Sequence, residues 1–172
     1  AGRWRGNGPA PRMYVINDKT LGIVGLGTIG KKVARRAGSF GMGVQYNDIV
    51  RLCEDAEDAL GVKFRLFGEL LRSSDIVSLH VPLNEPTRHM IGEAELASLK
   101  SEAIIVNTSR GPVIDEKALT RTMADRKIFG AGLDVFGAHE AGASDGRHQH
   151  VRLARDRGQV ARARVGERHG GV

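Results

Sequence analysis

An apolar run ending in Ile23-Val24 feeds Gly25-Leu26-Gly27-Thr28-Ile29-Gly30, a turn with glycine at its first, third and sixth positions, and an amphipathic pattern follows. Few local sequences restrict a fold as much. Gly25 permits a tight strand-to-helix turn, Gly27 lets the backbone approach a ligand, and Gly30 lets helix and strand pack closely. Asp48 closes the next apolar run, 18 residues beyond Gly30. At about that remove, a carboxylate ending a second strand reaches ribose hydroxyls. The triplet alone is a weak signal in a chain with 23 glycines. The strand before it, the helix after it and the acid beyond are the contexts the motif requires, and they make it a dinucleotide site. A pyrophosphate would rest on free amides at the helix N-terminus, and Asp48 would repel a 2′-phosphate, which favours NAD over NADP.

Short β-branched runs then alternate with helical patterns, the signature of βαβ units and a parallel sheet. Strands are expected at Thr20–Gly25, Gly43–Tyr46, Lys63–Leu66, Ile76–Val81, Ala103–Asn107 and Phe129–Val135. Helices are expected at Thr28–Phe40, Glu54–Leu60, Gly68–Arg72, Glu93–Leu99 and Asp115–Asp125. The first helix carries Ile29, Val33, Ala34, Ala37 and Phe40 on one face and Lys31, Lys32, Arg35 and Arg36 largely on the other. Right-handed crossovers predict an α/β fold, a Rossmann-type doubly wound parallel sheet of order 3-2-1-4-5-6, with ligands at the carboxyl ends of the strands.

Composition excludes several classes. The chain is long enough for one domain with a real core. It contains no run of about 18 apolar residues, so no membrane span is expected. No signal-peptide pattern opens it, and the single Cys53 cannot form an internal disulfide, which points to a reducing, cytoplasmic setting. The net charge is +6, but residues 13–136 hold 16 Lys/Arg against 16 Asp/Glu, so the excess is terminal. A neutral core lacks the clustered basic face of a nucleic-acid binder. No metal site is expected either.

Three strand ends carry the remaining polar chemistry: His80 to Thr87 after the fourth, Asn107 to Pro112 after the fifth, and Gly130 to Phe136 in the sixth. Arg110 stands out, because a guanidinium there can grip a carboxylate through two parallel hydrogen bonds and polarise the adjacent carbonyl. From spacing alone, a surface arginine paired with a helix acid explains it equally well.

In four blocks the chain resembles the NAD-dependent D-2-hydroxyacid dehydrogenases: Thr20 to Gly30, Ser74 to Leu83, Asn107 to Gly111, and Gly132-Leu133-Asp134-Val135-Phe136. The resemblance covers roughly residues 20–136. It implies that the amides of Thr28 and Ile29 meet the pyrophosphate, that Asp48 meets the adenosine ribose, and that Val81 and Pro82 border the adenine. It also implies that Thr87 sits beside the cofactor, that Thr108 and Ser109 contact the nicotinamide half, and that Asp134 binds the carboxamide. Arg110 matches the family's catalytic, substrate-gripping arginine. The reaction implied is hydride transfer between NAD(H) and a small 2-hydroxy or 2-oxo acid, as in glyoxylate or hydroxypyruvate reductases and phosphoglycerate dehydrogenases, with a histidine and glutamate moving the proton. A homodimer is implied as well.

The pattern departs abruptly after Phe136. Where the family continues Glu-x-Glu-Pro, this chain has Gly137-Ala138-His139-Glu140-Ala141, and no histidine follows a proline. His148, His150 and His169 stand in an Arg/Gly/Ala-rich stretch and are expected to be incidental. Residues 137–172 have one leucine, Leu153, and no Ile, Phe, Tyr or Trp. Such a segment is expected to build no core. It reads as an out-of-frame translation of a GC-rich gene rather than as a natural basic tail, since the break falls inside a motif. Residues 1–19 read as the remnant of a crossover from a preceding substrate domain. The expected organisation is therefore linker 1–19, cofactor domain 20–136 and tail 137–172, a fragment inactive in turnover by itself. Two other readings share the glycine turn: an NAD-sensing module like the C-terminal-binding-protein corepressors, and a potassium-channel regulatory domain, which leaves Asn107 to Gly111 unexplained.

Overall fold

A computed structural model describes residues 14–137 and the backbone of 151–154. Strands β1 (Thr20–Val24), β2 (Gly43–Asn47), β3 (Val62–Phe64), β4 (Ile76–Leu79), β5 (Ile104–Asn107) and β6 (Gly130–Leu133) are all parallel. With β7 (Val151–Ala154) they form one sheet in the order β3-β2-β1-β4-β5-β6-β7. The chain reverses direction across the sheet between β1 and β4, as the alternation predicted.

Helices α1 (Thr28–Ser39) and α2 (Glu54–Leu60) pack on the β1–β2–β3 half, while α3 (Phe67–Ser73), α4 (Glu93–Ser98) and α5 (Glu116–Ala124) cover the other face. The period-2 alternation of a strand divides the core. From β1, Leu21 and Ile23 join Ala34, Ala37, Val44, Tyr46 and Val62 in one cluster, whereas Val24 joins Leu70, Leu79, Ile105 and Leu119 in the other. Packing holds α1 more than intrinsic propensity does. Its interior contains Gly30 and Gly38, each costing roughly 0.5–1 kcal/mol relative to alanine, and burial of Ala34 and Ala37 offsets this.

Several boundaries differ from the sequence expectation by one or two residues, each for a local reason. β4 ends at Leu79 rather than Val81 because the chain turns out of the sheet after His80 donates to the Val24 carbonyl at 2.8 Å. α5 begins after Asp115, whose carboxylate accepts from the Lys117 and Ala118 amides and so caps the helix from outside it. The expected apolar face of α1 is corrected at both ends. Ile29 is 64% exposed and Phe40 63% exposed: Ile29 lies in the first turn beside the exposed Gly27 and Thr28, and Phe40 has already left the helix.

β7 was not expected from the sequence. It pairs antiparallel with β6, Leu133 opposite Val151 and Gly130 opposite Ala154, so the span 137–172 contains a strand. The tail expectation for 138–150 and 155–172, including His148, His150 and His169, lies outside the described residues, as do residues 1–13. Of the expected linker, Tyr14 packs against Phe129 in a tilted ring contact with centroids 5.4 Å apart, and the Asp18 amide donates to the Gly41 carbonyl at 3.0 Å.

Candidate cofactor-binding crevice

The sheet register sets out the site before any side chain is considered. Asn47, Val24, Leu79, Asn107 and Leu133 are successive partners across β2, β1, β4, β5 and β6. The strands therefore reach their carboxyl ends in one row, and the next residue on each is Asp48, Gly25, His80, Thr108 and Asp134. With neighbouring strands about 4.8 Å apart, the row spans roughly 19 Å.

At the β1 end, Gly25 adopts φ +92°, and its amide donates to the Asn47 carbonyl at 2.9 Å. A Cβ on Gly25 would lie 2.8 Å from the His80 carbonyl oxygen. A Cβ on Gly30 would collide with the Gly25 carbonyl, so α1 can sit this close to the turn only with glycine there. Gly27 is different in kind. It is exposed, and a Cβ there would meet nothing within 4 Å. No side chain caps α1 at Gly27, and no acid lies in its first turn. The amides of Thr28 and Ile29 therefore face open space at the positive end of a 12-residue helix, a setting that suits a phosphate.

Asp48 borders the same turn. Its Oδ2 accepts from the Leu26 amide at 2.6 Å and its Oδ1 from the Val50 amide at 3.2 Å. Each carboxylate oxygen keeps a further lone pair, which leaves acceptors for ribose hydroxyls.

The β4 end holds His80, Val81 and Pro82. Burial pushes the His80 imidazole below its ordinary value, favouring the neutral ring, and its Nε2 lies 2.9 Å from Ser78 Oγ. Val81 is half-buried against the larger core cluster and Pro82 is exposed. Thr87 is committed to its own loop. Its hydroxyl donates to the Pro82 carbonyl at 2.6 Å and accepts from the Asn84 amide at 2.9 Å, while its amide donates to Asn84 Oδ1 at 3.1 Å. Thr87 thus shapes the loop that leads out of β4.

At the β5 end, Asn107 is 1% exposed and organises everything after it. Its Nδ2 donates to the Arg110 carbonyl at 2.8 Å, and its Oδ1 accepts from the Ser109 amide at 3.0 Å and hydroxyl at 2.8 Å. Thr108 and Arg110 are left exposed, and Arg110 Nη1 donates to the Ser109 carbonyl at 2.7 Å. The guanidinium has further donors for a carboxylate. Beyond β6, Asp134 is exposed, and its amide donates to the Asn107 carbonyl at 3.0 Å. Asn84 and Asn107 are the residues the sequence reading did not single out. Their signal is an asparagine two or three residues ahead of Ser or Thr, a local turn-forming pattern rather than a ligand pattern. Among the described residues no cluster of His, Cys, Asp and Glu could hold a metal ion.

The turn, the open helix end and the carboxylate on β2 define a dinucleotide-binding domain of Rossmann type, and its residues fit the cofactor that the sequence implied. The chain belongs to the D-isomer specific 2-hydroxyacid dehydrogenase family, whose NAD-binding domain matches residues 1–153. It is similar to a glyoxylate reductase of Korarchaeum cryptofilum, 55% identical over 123 residues, which covers 72% of this chain and 37% of that protein. Among solved structures, a glyoxylate reductase from Paecilomyes thermophila is 50% identical with a TM-score of 0.68, covering 72% of this chain and 37% of that one. The D-lactate dehydrogenase of Aquifex aeolicus, solved with NAD and lactic acid, is 41% identical with a TM-score of 0.69, covering 73% of this chain and 37% of that one. The chain thus spans little more than a third of the relatives it matches.

Proposed function

We propose that this chain is the NAD-binding part of a dehydrogenase that interconverts a small 2-hydroxy acid and its 2-oxo acid, of glyoxylate or hydroxypyruvate reductase or phosphoglycerate dehydrogenase type. The bound nicotinamide would supply or accept the hydride. The observation that carries the reading is the row of strand ends. At one end Asp48 is tied to the glycine turn, at the centre Gly27 and the amides of Thr28 and Ile29 stand open, and beside β5 Arg110 is exposed. On this reading Asp48 takes the ribose, and its charge favours NAD over NADP. Val81 and Pro82 flank the adenine, Thr87 supports that wall, and Thr108, Ser109 and Asp134 face the nicotinamide half. Arg110 grips the substrate carboxylate and polarises the 2-oxo group.

The chain alone is not expected to turn over. Glu-x-Glu-Pro and Pro-His, which carry the proton in the family it resembles, have no match in its sequence, and positioning is a large share of catalysis. Family resemblance also supports a cytoplasmic homodimer, which light scattering on the purified protein would check. The deciding experiment is a calorimetric titration of the 172-residue chain with NADH and NADPH, followed by a glyoxylate reduction assay. NADH binding with weaker NADPH binding and no turnover is expected. Equal affinity for both cofactors would remove the role given to Asp48, and rapid turnover would remove the claim that the proton donor is missing.

A further inference from the structure

The six residues 48–53 connect β2 to α2 and carry Asp48, yet their apolar side chains do not hold them in place. Ile49 is 101% exposed and Val50 68% exposed. Leu52 alone of the three packs partly against the core. The far end of the loop is instead fixed by a polar cluster. Tyr46, fully buried on β2, accepts the Leu52 amide on its hydroxyl oxygen at 2.8 Å and donates its proton to Glu57 Oε1 at 2.9 Å. Arg51 Nε donates to the same Oε1 at 3.1 Å, and its guanidinium carbon lies 5.2 Å from the centre of the Phe64 ring.

The polarity of this cluster permits one arrangement. The Arg51 hydrogen bond, against the opposing effect of burial, and the Tyr46 hydrogen bond hold Glu57 below the usual carboxylate range. An ionised carboxylate can only accept, so Tyr46 must donate to it. Burial raises the Tyr46 phenol, which therefore keeps that proton. Its oxygen is then left to accept the Leu52 amide. The near end of the loop is held by Asp48 on the Leu26 amide. Two anchors thus fix six residues, one on each side of the exposed Ile49 and Val50.

We propose that Tyr46, Glu57 and Arg51 are positioning residues for the adenosine end of the crevice, setting the loop so that Asp48 stays on the Leu26 amide with its outer lone pairs toward the ribose. The proposal rests on the NAD-binding reading of Asp48. None of the three residues touches the ligand, and each acts through the loop.

Two readouts test it, one of which needs no ligand. In Tyr46→Phe the Leu52 amide loses its acceptor, and amide hydrogen exchange at Leu26, on the opposite anchor, is expected to quicken at least threefold. The NAD and ADP-ribose dissociation constants are expected to rise about three- to tenfold, the size set by losing one or two hydrogen bonds, while nicotinamide mononucleotide is unaffected. In an Asp48→Ala background, Tyr46→Phe should change NAD affinity no further. If Tyr46→Phe does not fold, Glu57→Ala is expected to show the same pattern and Glu57→Gln, which keeps an acceptor oxygen, to recover most of it. Unchanged Leu26 exchange in a folded variant, or Tyr46 and Asp48 effects that simply add, would overturn the proposal and leave the cluster a purely structural one. Failure of the parent chain to bind NAD would instead overturn the functional reading. The Leu26 exchange, measured without ligand, tells the two failures apart.

Discussion

Gly25 and Gly27 are two residues apart in one turn, and the structure assigns them opposite costs on substitution. At Gly25 a side chain faces φ +92° and a Cβ only 2.8 Å from the His80 carbonyl oxygen. The backbone strain is about 1–2 kcal/mol, and forcing a methyl against main chain adds about 1–3 kcal/mol. The sum, roughly 2–5 kcal/mol, is a large share of a typical domain's total of 5–15 kcal/mol. For a chain of this size that lowers the melting temperature by roughly 4–20 °C. At Gly27 the backbone is extended and a Cβ meets nothing within 4 Å, so the fold loses only the difference between glycine and alanine at a helix cap, of order 0.5 kcal/mol. The new methyl instead occupies the space a pyrophosphate would fill. Differential scanning calorimetry with parallel NADH titration separates the two. Gly25→Ala should lower the melting temperature and lose binding along with the Leu26–Asp48 contact, whereas Gly27→Ala should melt within about 2 °C of the parent and bind NADH at least tenfold more weakly. A Gly27→Ala protein with parental affinity would refute the assignment of that open space to the cofactor. A Gly25→Ala protein with parental melting would refute the strain argument.

Asp48→Ala should weaken NAD binding by about 10- to 100-fold, since hydrogen bonds to a charged group are worth about 1.5–3 kcal/mol; equal affinity in a fluorescence titration would remove Asp48 from the site. Arg110→Met should leave the melting temperature and NADH affinity nearly unchanged, because the side chain is exposed and bonds only its neighbour's carbonyl among the contacts described; a large loss of either would show that the guanidinium faces the fold or the cofactor rather than substrate. Asn107→Ala removes three hydrogen bonds from a residue 1% exposed and should cost about 2–4 kcal/mol; urea unfolding within 0.5 kcal/mol of the parent, an order-of-magnitude threshold for a neutral surface change, would contradict the role given to it. Stability should fall with acid in two stages. Burial keeps His80 neutral in the fold, so the unfolded chain takes up a proton first, below about pH 6.5. The Ala118 amide, against burial, and then the Lys117 amide hold Asp115 low; burial raises Asp75, but the Thr20 amide and Lys100 outweigh it. Their contribution is therefore complete above the unfolded value near 3.9 and is lost as pH falls through the lower folded values. Urea midpoints from pH 7 to 3 that show no decline would contradict all three assignments.

The sheet was legible because β1, β4 and β5 are runs rich in β-branched residues, and because the glycine turn and Asp48 mark where strands one and two end. Periodicity could name an apolar face on α1 but could not show that Ile29, in the first turn, is left 64% exposed, since that depends on how the helix seats on β1 and β2. β7 escaped for a similar reason. Val151-Arg152-Leu153-Ala154 is too short for its alternation to outweigh the surrounding arginines and glycines, and what defines it is the open edge of β6 that it pairs with. The candidate site was legible as motifs but not as mechanics. Asn107, Asn84 and Tyr46 look like ordinary strand or loop residues, and their roles depend on hydrogen bonds to backbone atoms that come together only in the folded chain.

The same contrast explains how the chemistry divides. A dinucleotide asks for free amides, a carboxylate and a shallow wall, all of which arise where parallel strands end in a common row. Moving a proton at the substrate asks for a titratable group held within hydrogen-bond reach of the reacting carbon's oxygen. On this row the histidine, His80, is occupied by Ser78 and held neutral by burial, and Arg110 offers charge but does not give up its proton near neutral pH. Cofactor binding and hydride geometry therefore belong to this domain on the proposed reading, while proton transfer requires residues that the row does not supply. That separation predicts a chain competent in binding and silent in turnover, which the paired titration and reduction assay reads directly.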